Sequence, residues 1–178
     1  MNFKLLLFIF ILFTTINSTA QTQKSNYKTQ QQEKKAKREE LNGSVLNQLN
    51  FKDINDKEHS LESLRGKVVV LDFWFIQCKP CVKQFPSMNT LKKKYKGKPV
   101  EFFAVTWNSE YDVKQFLKTI DLQLTPVVDN NLIDKFNIPH YPYHVIIDQN
   151  GKVEFVSSVL SFSITNKLER KINRLLKN

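Results

Sequence analysis

The sequence predicts an α/β fold in which one mixed β-sheet carries helices on both faces. Three observations lead there. Short β-branched and aromatic runs alternate with stretches of helical periodicity over most of the chain. The first such run, Val68 to Phe75, lacks clean alternation and suits a central strand covered on both sides. Near the end the order becomes strand, turn, strand and helix, which adds antiparallel pairing to the sheet.

Residues 1–20 read as a secretory signal. Lys4 supplies a basic start, Leu5 to Phe13 is unbroken apolar sequence, and Ser18-Thr19-Ala20 offers the small residues a signal peptidase reads. The apolar run is short for a transmembrane span. The alternative is an uncleaved N-terminal membrane anchor. Residues 21–42 are rich in Gln, Lys and Glu and bury too little to offset their ordering entropy, so a polar tether or a solvated helix is expected. Residues 43–178 form the single folded domain, long enough for a real core.

Within it, Leu46 to Ile54 is expected as a strand and Asn55-Asp56 as a turn. Ser60 to Leu64 reads as a helical turn that Gly66 ends. After the Val68 strand, Val82, Phe85, Met88, Leu91 and Tyr95 recur at helical spacing. Pro80 is tolerable in that helix's first turn, and Pro86 should kink it. Val100 to Thr106 is a second buried strand. A helix over Tyr111 to Ile120, a strand region over Leu122 to Val128 and a helical piece over Asn131 to Phe136 follow. Tyr143 to Asp148 pairs across Gln149-Asn150-Gly151 with Lys152 to Ser157, and Ile164, Leu168, Ile172 and Leu175 mark a closing helix.

The net charge of +10 is spread over the tether, residues 92–98 and the last helix. Export and the lack of a nucleic-acid motif exclude a nucleic-acid partner. Weak association with an anionic membrane surface fits the charge, although solubilising lysines on helix faces explain it as well.

Chemistry concentrates at Cys78-Lys79-Pro80-Cys81, which holds the only two cysteines. A disulfide between them closes too small a loop to restrain the unfolded chain much. It is better suited to changing redox state. At a helix N-terminus, backbone N–H groups and the macrodipole favour a thiolate on Cys78, the attacking species in thiol–disulfide exchange. Zinc needs about four ligands, and His59, His140 and His144 lack ligand-like spacing, so neither a metal nor a cofactor is expected.

Asp72-Phe73-Trp74 followed by Cys78-Lys79-Pro80-Cys81, with Pro86 beyond, resembles the active-site strand, loop and helix of thioredoxin-fold oxidoreductases. Phe51, Leu61, Leu64 and Arg65-Gly66-Lys67 resemble the N-terminal hairpin of the exported TlpA/ResA-like group. The long span from Thr106 to Pro142 has room for that group's central strand–helix insertion. Three positions depart from the pattern. Gln77 replaces the usual Trp, Tyr143 the usual Thr, and Gln84 stands where some cytochrome-maturation members carry Glu.

The resemblance implies a periplasmic or otherwise exported thiol–disulfide oxidoreductase acting on protein thiols and disulfides. It is expected to be a reductant fed by an upstream electron-donating redox protein. Cys78 is the expected nucleophile, Cys81 the resolving thiol and Asp72 the base for Cys81. Tyr141, Pro142, Trp74, Lys79 and Pro80 are expected around the substrate, with Pro142 as the family's cis-proline and Trp74 chiefly packing under the active-site loop. The alternatives are a net oxidant or isomerase, or a redox-switched binding protein without turnover. A peroxidase is disfavoured, since no Pro-X-X-X-Thr-X-X-Cys pattern ends at Cys78.

Overall fold

The structure, a computed structural model, describes residues 21, 23, 25–30, 32, 33, 35–157 and 163–177. The expected signal segment, 1–20, lies outside the described residues, as does Lys34 of the tether's basic run. The chain divides between Lys37 and Arg38. Before that point the described residues from 21 onward are helical and exposed. Residues 38–42 go with the compact unit rather than the tether. Leu41, the one sizeable aliphatic residue of the stretch, packs on the core, and the next residue, Gly43, donates its N–H to the Val153 carbonyl at 2.7 Å.

The compact unit opens with a hairpin of β1 (Asn50–Lys52) and β2 (Glu58–Ser60). The expected strand from Leu46 is shorter because Leu46 turns away to donate to the Gly151 carbonyl. The turn depends on Asp53, whose Oδ1 accepts from the N–H groups of Asn55 and Lys57, and on Asp56 at φ 61°. Asp53 Oδ2 also meets His59 Nε2 at 2.9 Å, which satisfies a histidine buried between the rings of Phe51 and Phe103.

The main sheet has the order β5-β4-β3-β6-β7, formed by β3 (Val68–Phe73), β4 (Val100–Thr106), β5 (Thr125–Val128), β6 (Tyr143–Ile147) and β7 (Val153–Val156). β3 pairs parallel with β4 and antiparallel with β6, so the sheet is mixed. All six β3 residues are buried, as its unbroken apolar run demands. Their alternation divides the core. Val68, Val70 and Trp74 face the helices α1 (Lys79–Lys94), α2 (Glu110–Phe116) and α4 (Ile164–Leu175), while Val69, Leu71 and Phe73 face the hairpin and α3 (Asn130–Phe136). Burying side chains of this size contributes roughly 1.5–3 kcal/mol each.

α1 is fixed at both ends. Lys92, Lys93 and Lys94 complement the dipole of its last turn. Asn89 ties its flank to the following loop, donating to the Asp121 carbonyl and accepting from the Gln123 N–H, both at 2.8 Å. The helix continues through Pro86. α2 is shorter than its apolar pattern suggests, starting at the Ser109 cap and stopping at Phe116. β5 and α3 provide a strand–helix pair between β4 and β6, as the long Thr106–Pro142 span leads one to expect.

Candidate active site

Cys78 and Cys81 are joined by a disulfide, with Cα atoms 5.3 Å apart. The geometry follows from the end of β3. The chain leaves the sheet after Phe73, turns so that Cys78 N–H donates to the Phe75 carbonyl at 3.0 Å, and enters α1 with Cys78 as its cap. Cys78 Sγ accepts from the Cys81 N–H at 3.3 Å, so the sulfur sits among the unpaired amides of the helix start. Cys78 is 4 % exposed and Cys81 1 %. The loop is therefore open at Gln77, Lys79 and Pro80, which are exposed, rather than at the sulfurs themselves.

Asp72 is 2 % exposed and lies on the face of β3 that carries Val70 and Trp74, toward α1. Burial raises its carboxyl to about 7, so it exchanges a proton near neutrality. Opposite it in the antiparallel register stands His144 of β6, equally buried, with Nε2 3.3 Å from Asp72 Oδ1. Burial, and after it neighbouring His140, lowers His144 to about 3, so the imidazole is neutral and the contact is no ion pair at neutral pH. The two atoms approach without a well-formed hydrogen bond between them. This neighbour of Asp72 was not singled out from the sequence.

The Tyr141–Pro142 peptide bond is cis. Pro142 is buried, and Tyr141 is half-buried with its ring 5.1 Å from Phe75, edge to face. Trp74 takes the packing role under the active-site loop that is its leading expectation and presents no surface to a substrate. It is 0 % exposed, packed edge-on against Phe85 at 5.2 Å and against Phe116 at 5.8 Å, because the β3 alternation turns it under the helices. Asn108 is a further residue absent from the sequence reading. Its buried side-chain oxygen accepts from the Ile76 N–H at 2.9 Å and from the Thr106 hydroxyl at 3.0 Å, fastening the loop before Cys78 to the end of β4. No local pattern announces that clamp.

Among the described residues, no three histidines, cysteines or carboxylates converge as metal ligands. A cleft of about 830 Å³ at the hairpin, lined by Phe51, His59, Ser63 and Asp129 among others, does not include the disulfide. A protein disulfide is reached at an open surface, so the chemistry needs no deep cavity.

A redox-active Cys-X-X-Cys capping a helix, after a parallel strand and in a fold with a cis-proline, makes this a thioredoxin-fold thiol–disulfide oxidoreductase. The chain belongs to the AhpC/TSA family, whose model matches residues 33–156. It is 35 % identical over 126 residues to Thiol-disulfide oxidoreductase ResA of Bacillus cereus, covering 69 % of this chain and 72 % of that one. It is 31 % identical over 116 residues to Thioredoxin-like protein YneN of Bacillus subtilis, covering 63 % and 68 %. Among solved structures, one assigned as Thiol:disulfide interchange protein DsbE from Chlorobium tepidum matches with TM-score 0.68 and 28 % identity, over 76 % of this chain and 97 % of that one. The thioredoxin domain of a Bacteroides vulgatus thiol-disulfide oxidoreductase shares the fold at TM-score 0.64 and 23 % identity, over 74 % and 98 %. These relatives place the chain in a TlpA/ResA-like group acting on protein thiols and disulfides.

Proposed function

We propose that the protein reduces partner disulfides outside the cytoplasm, with Cys78 as nucleophile, Cys81 as resolving thiol and Asp72 as proton acceptor. One observation carries the assignment of roles. Cys78 caps α1 beneath an exposed Gln77, Lys79 and Pro80, while Cys81 lies a turn deeper, on the side where Asp72 is buried. The Cys78 thiolate attacks one sulfur of a partner disulfide. A Cys78–partner disulfide forms, and the other partner sulfur leaves as a thiolate that takes up a proton. Cys81 gives its proton to Asp72 and attacks Cys78 Sγ. The Cys78–Cys81 disulfide re-forms and the second partner thiol is released. Two electrons have passed to the partner, and an upstream donor dithiol must return them.

Lys79 and Pro80 shape the rim a partner meets, and the Lys79 ammonium favours the Cys78 thiolate. Tyr141 offers its backbone beside the cis-proline to an extended substrate segment. Export rests on the signal-like residues 1–20, and residues 21–37 act as a tether. No helix among the described residues is long and apolar enough to cross a membrane. Weak contact with an anionic membrane surface follows from the net charge of +10.

An insulin-reduction assay with a supplied dithiol tests the reading. The parent protein accelerates precipitation, whereas a protein that only binds its partner leaves the rate at that of the dithiol alone. Deleting residues 21–37 should leave the melting temperature within about 2 °C and insulin reduction within about twofold, since the described side chains there are exposed. A large loss of either would make the segment part of the fold.

A further inference from the structure

Beside the disulfide the protein displays aromatic surface that its fold does not require. Among the described residues four large hydrophobic side chains are well exposed, Tyr27, Val45, Trp107 and Tyr111. Two of the four, Trp107 and Tyr111, lie just after β4, in the segment joined to the active-site loop through Asn108. Trp107 is 47 % exposed and belongs to neither core cluster. One face of its ring lies on Phe75, with centroids 5.7 Å apart and planes 31° apart. Phe75 in turn meets Tyr141 edge to face, with centroids 5.1 Å apart. The three rings form a row from the β4–α2 loop to the cis-proline.

Two of the row's rings belong to the segments that build the active site. The Phe75 carbonyl accepts the Cys78 N–H, and Tyr141 precedes cis-Pro142. The row is also held in place before any partner arrives. Asn108, itself buried, anchors Ile76 and is fixed by Thr106 on both its N–H and its side chain. A preorganised aromatic surface binds without an ordering penalty, and exposed aromatic clusters of this kind anchor protein contacts. Three rings in contact extend over roughly 10 Å, about the length of three residues of extended chain. A segment whose cysteine reaches Cys78 therefore lays its neighbouring side chains on the row.

We infer that the Trp107–Phe75–Tyr141 row determines specificity, receiving an apolar or aromatic side chain next to the reacting cysteine of an extended polypeptide, with Trp107 as the principal contact. The inference rests on Cys78 being the attacking residue. Trp107 touches no reacting atom, so its part is confined to choosing the partner.

Two disulfide-bonded peptides that differ only in a Phe or a Ser beside the cysteine, together with hydroxyethyl disulfide, provide the test. The parent protein should reduce the Phe peptide with a kcat/KM about tenfold above that of the Ser peptide. Trp107→Ala should bring that ratio to about twofold or less and leave hydroxyethyl disulfide reduction unchanged. Trp107→Phe should keep most of the preference. The inference is overturned if Trp107→Ala preserves the ratio, or if it slows all three substrates equally, which would make Trp107 a support of the loop. Single-turnover reaction of Cys81→Ser with hydroxyethyl disulfide reports on Cys78 independently. Failure there removes the nucleophile assignment, whereas success with an unchanged ratio removes only the aromatic row.

Discussion

Replacing Cys81 with serine is expected to turn the enzyme into a trap. The Cys78 thiolate still attacks a partner disulfide, but no neighbouring thiol is left to displace the partner. Mixed disulfides should accumulate and survive non-reducing electrophoresis, with turnover on insulin lowered roughly 100-fold or more. Cys78→Ser should lose turnover to a similar degree and capture almost nothing. The asymmetry follows from position. Cys78 is at the helix cap, where amides stabilise its negative charge and the surrounding loop is open, and Cys81 is one turn further in against the core. Capture by Cys78→Ser and none by Cys81→Ser would reverse the two roles.

Asp72→Asn should give a more stable and slower enzyme. In the folded protein burial raises the Asp72 carboxyl from 3.8 to about 7, so the native state holds its proton more tightly than the unfolded chain does. Between these two values the unfolded carboxyl is ionised while the native one retains its proton. The parent's stability therefore falls as pH rises from about 4 to about 7 and levels off above about 8. Asparagine has no such dependence. The variant should match the parent near pH 4 and exceed it at pH 8 by on the order of 4 kcal/mol, with a melting temperature higher by on the order of 10 °C.

The kinetic effect of that substitution runs the other way. Without a proton acceptor beneath it, Cys81 ionises more slowly. Resolution of the mixed disulfide should slow roughly 10- to 100-fold near pH 7, with a smaller loss at alkaline pH, where the thiol ionises unaided. Stopped-flow resolution rates and thermal melts across pH read both effects. A variant as fast as the parent at every pH would leave Asp72 without a catalytic part. His144 belongs to the same measurement, because its neutral ring lies against the carboxyl and shapes the environment that sets the Asp72 proton affinity.

Local sequence carried much of this architecture. The Val68 run suits a strand buried on both faces, and the strand β4 and the helix α4 begin and end where their apolar patterns do. Cys78, Cys81, Asp72 and Pro142 stand out in the sequence because their spacing resembles the thioredoxin-fold pattern, and the structure joins Cys78 to Cys81, buries Asp72 and puts Pro142 after a cis bond. What stayed hidden depends on pairing across long separations. Glu58-His59-Ser60 is too short and polar to declare a strand, and it becomes one because Asp53 and two phenylalanine rings accommodate a buried histidine. His144 joins Asp72 only through the antiparallel β3–β6 register, and Asn108 reaches Ile76 from the end of another strand. Trp74, expected chiefly to pack under the active-site loop, does so because strand alternation directs its side chain into the core.

The direction of electron flow bears most directly on the proposed function, and the reduction potential of the Cys78–Cys81 pair measures it. The buried Asp72 carboxyl resists further negative charge on its side of α1. It thereby disfavours thiolates and weakens the reduced form's hold on its electrons. The capping amides act in the opposite sense on Cys78, as they do at any helix start. For a reductant, equilibration against dithiothreitol or glutathione buffers, read by thiol alkylation and mass spectrometry, should place the couple below about −220 mV. That is nearer the value of about −270 mV for thioredoxin than that of about −120 mV for a strong oxidant such as DsbA. A potential near −120 mV would contradict the reductant assignment and make the protein a net donor of disulfides.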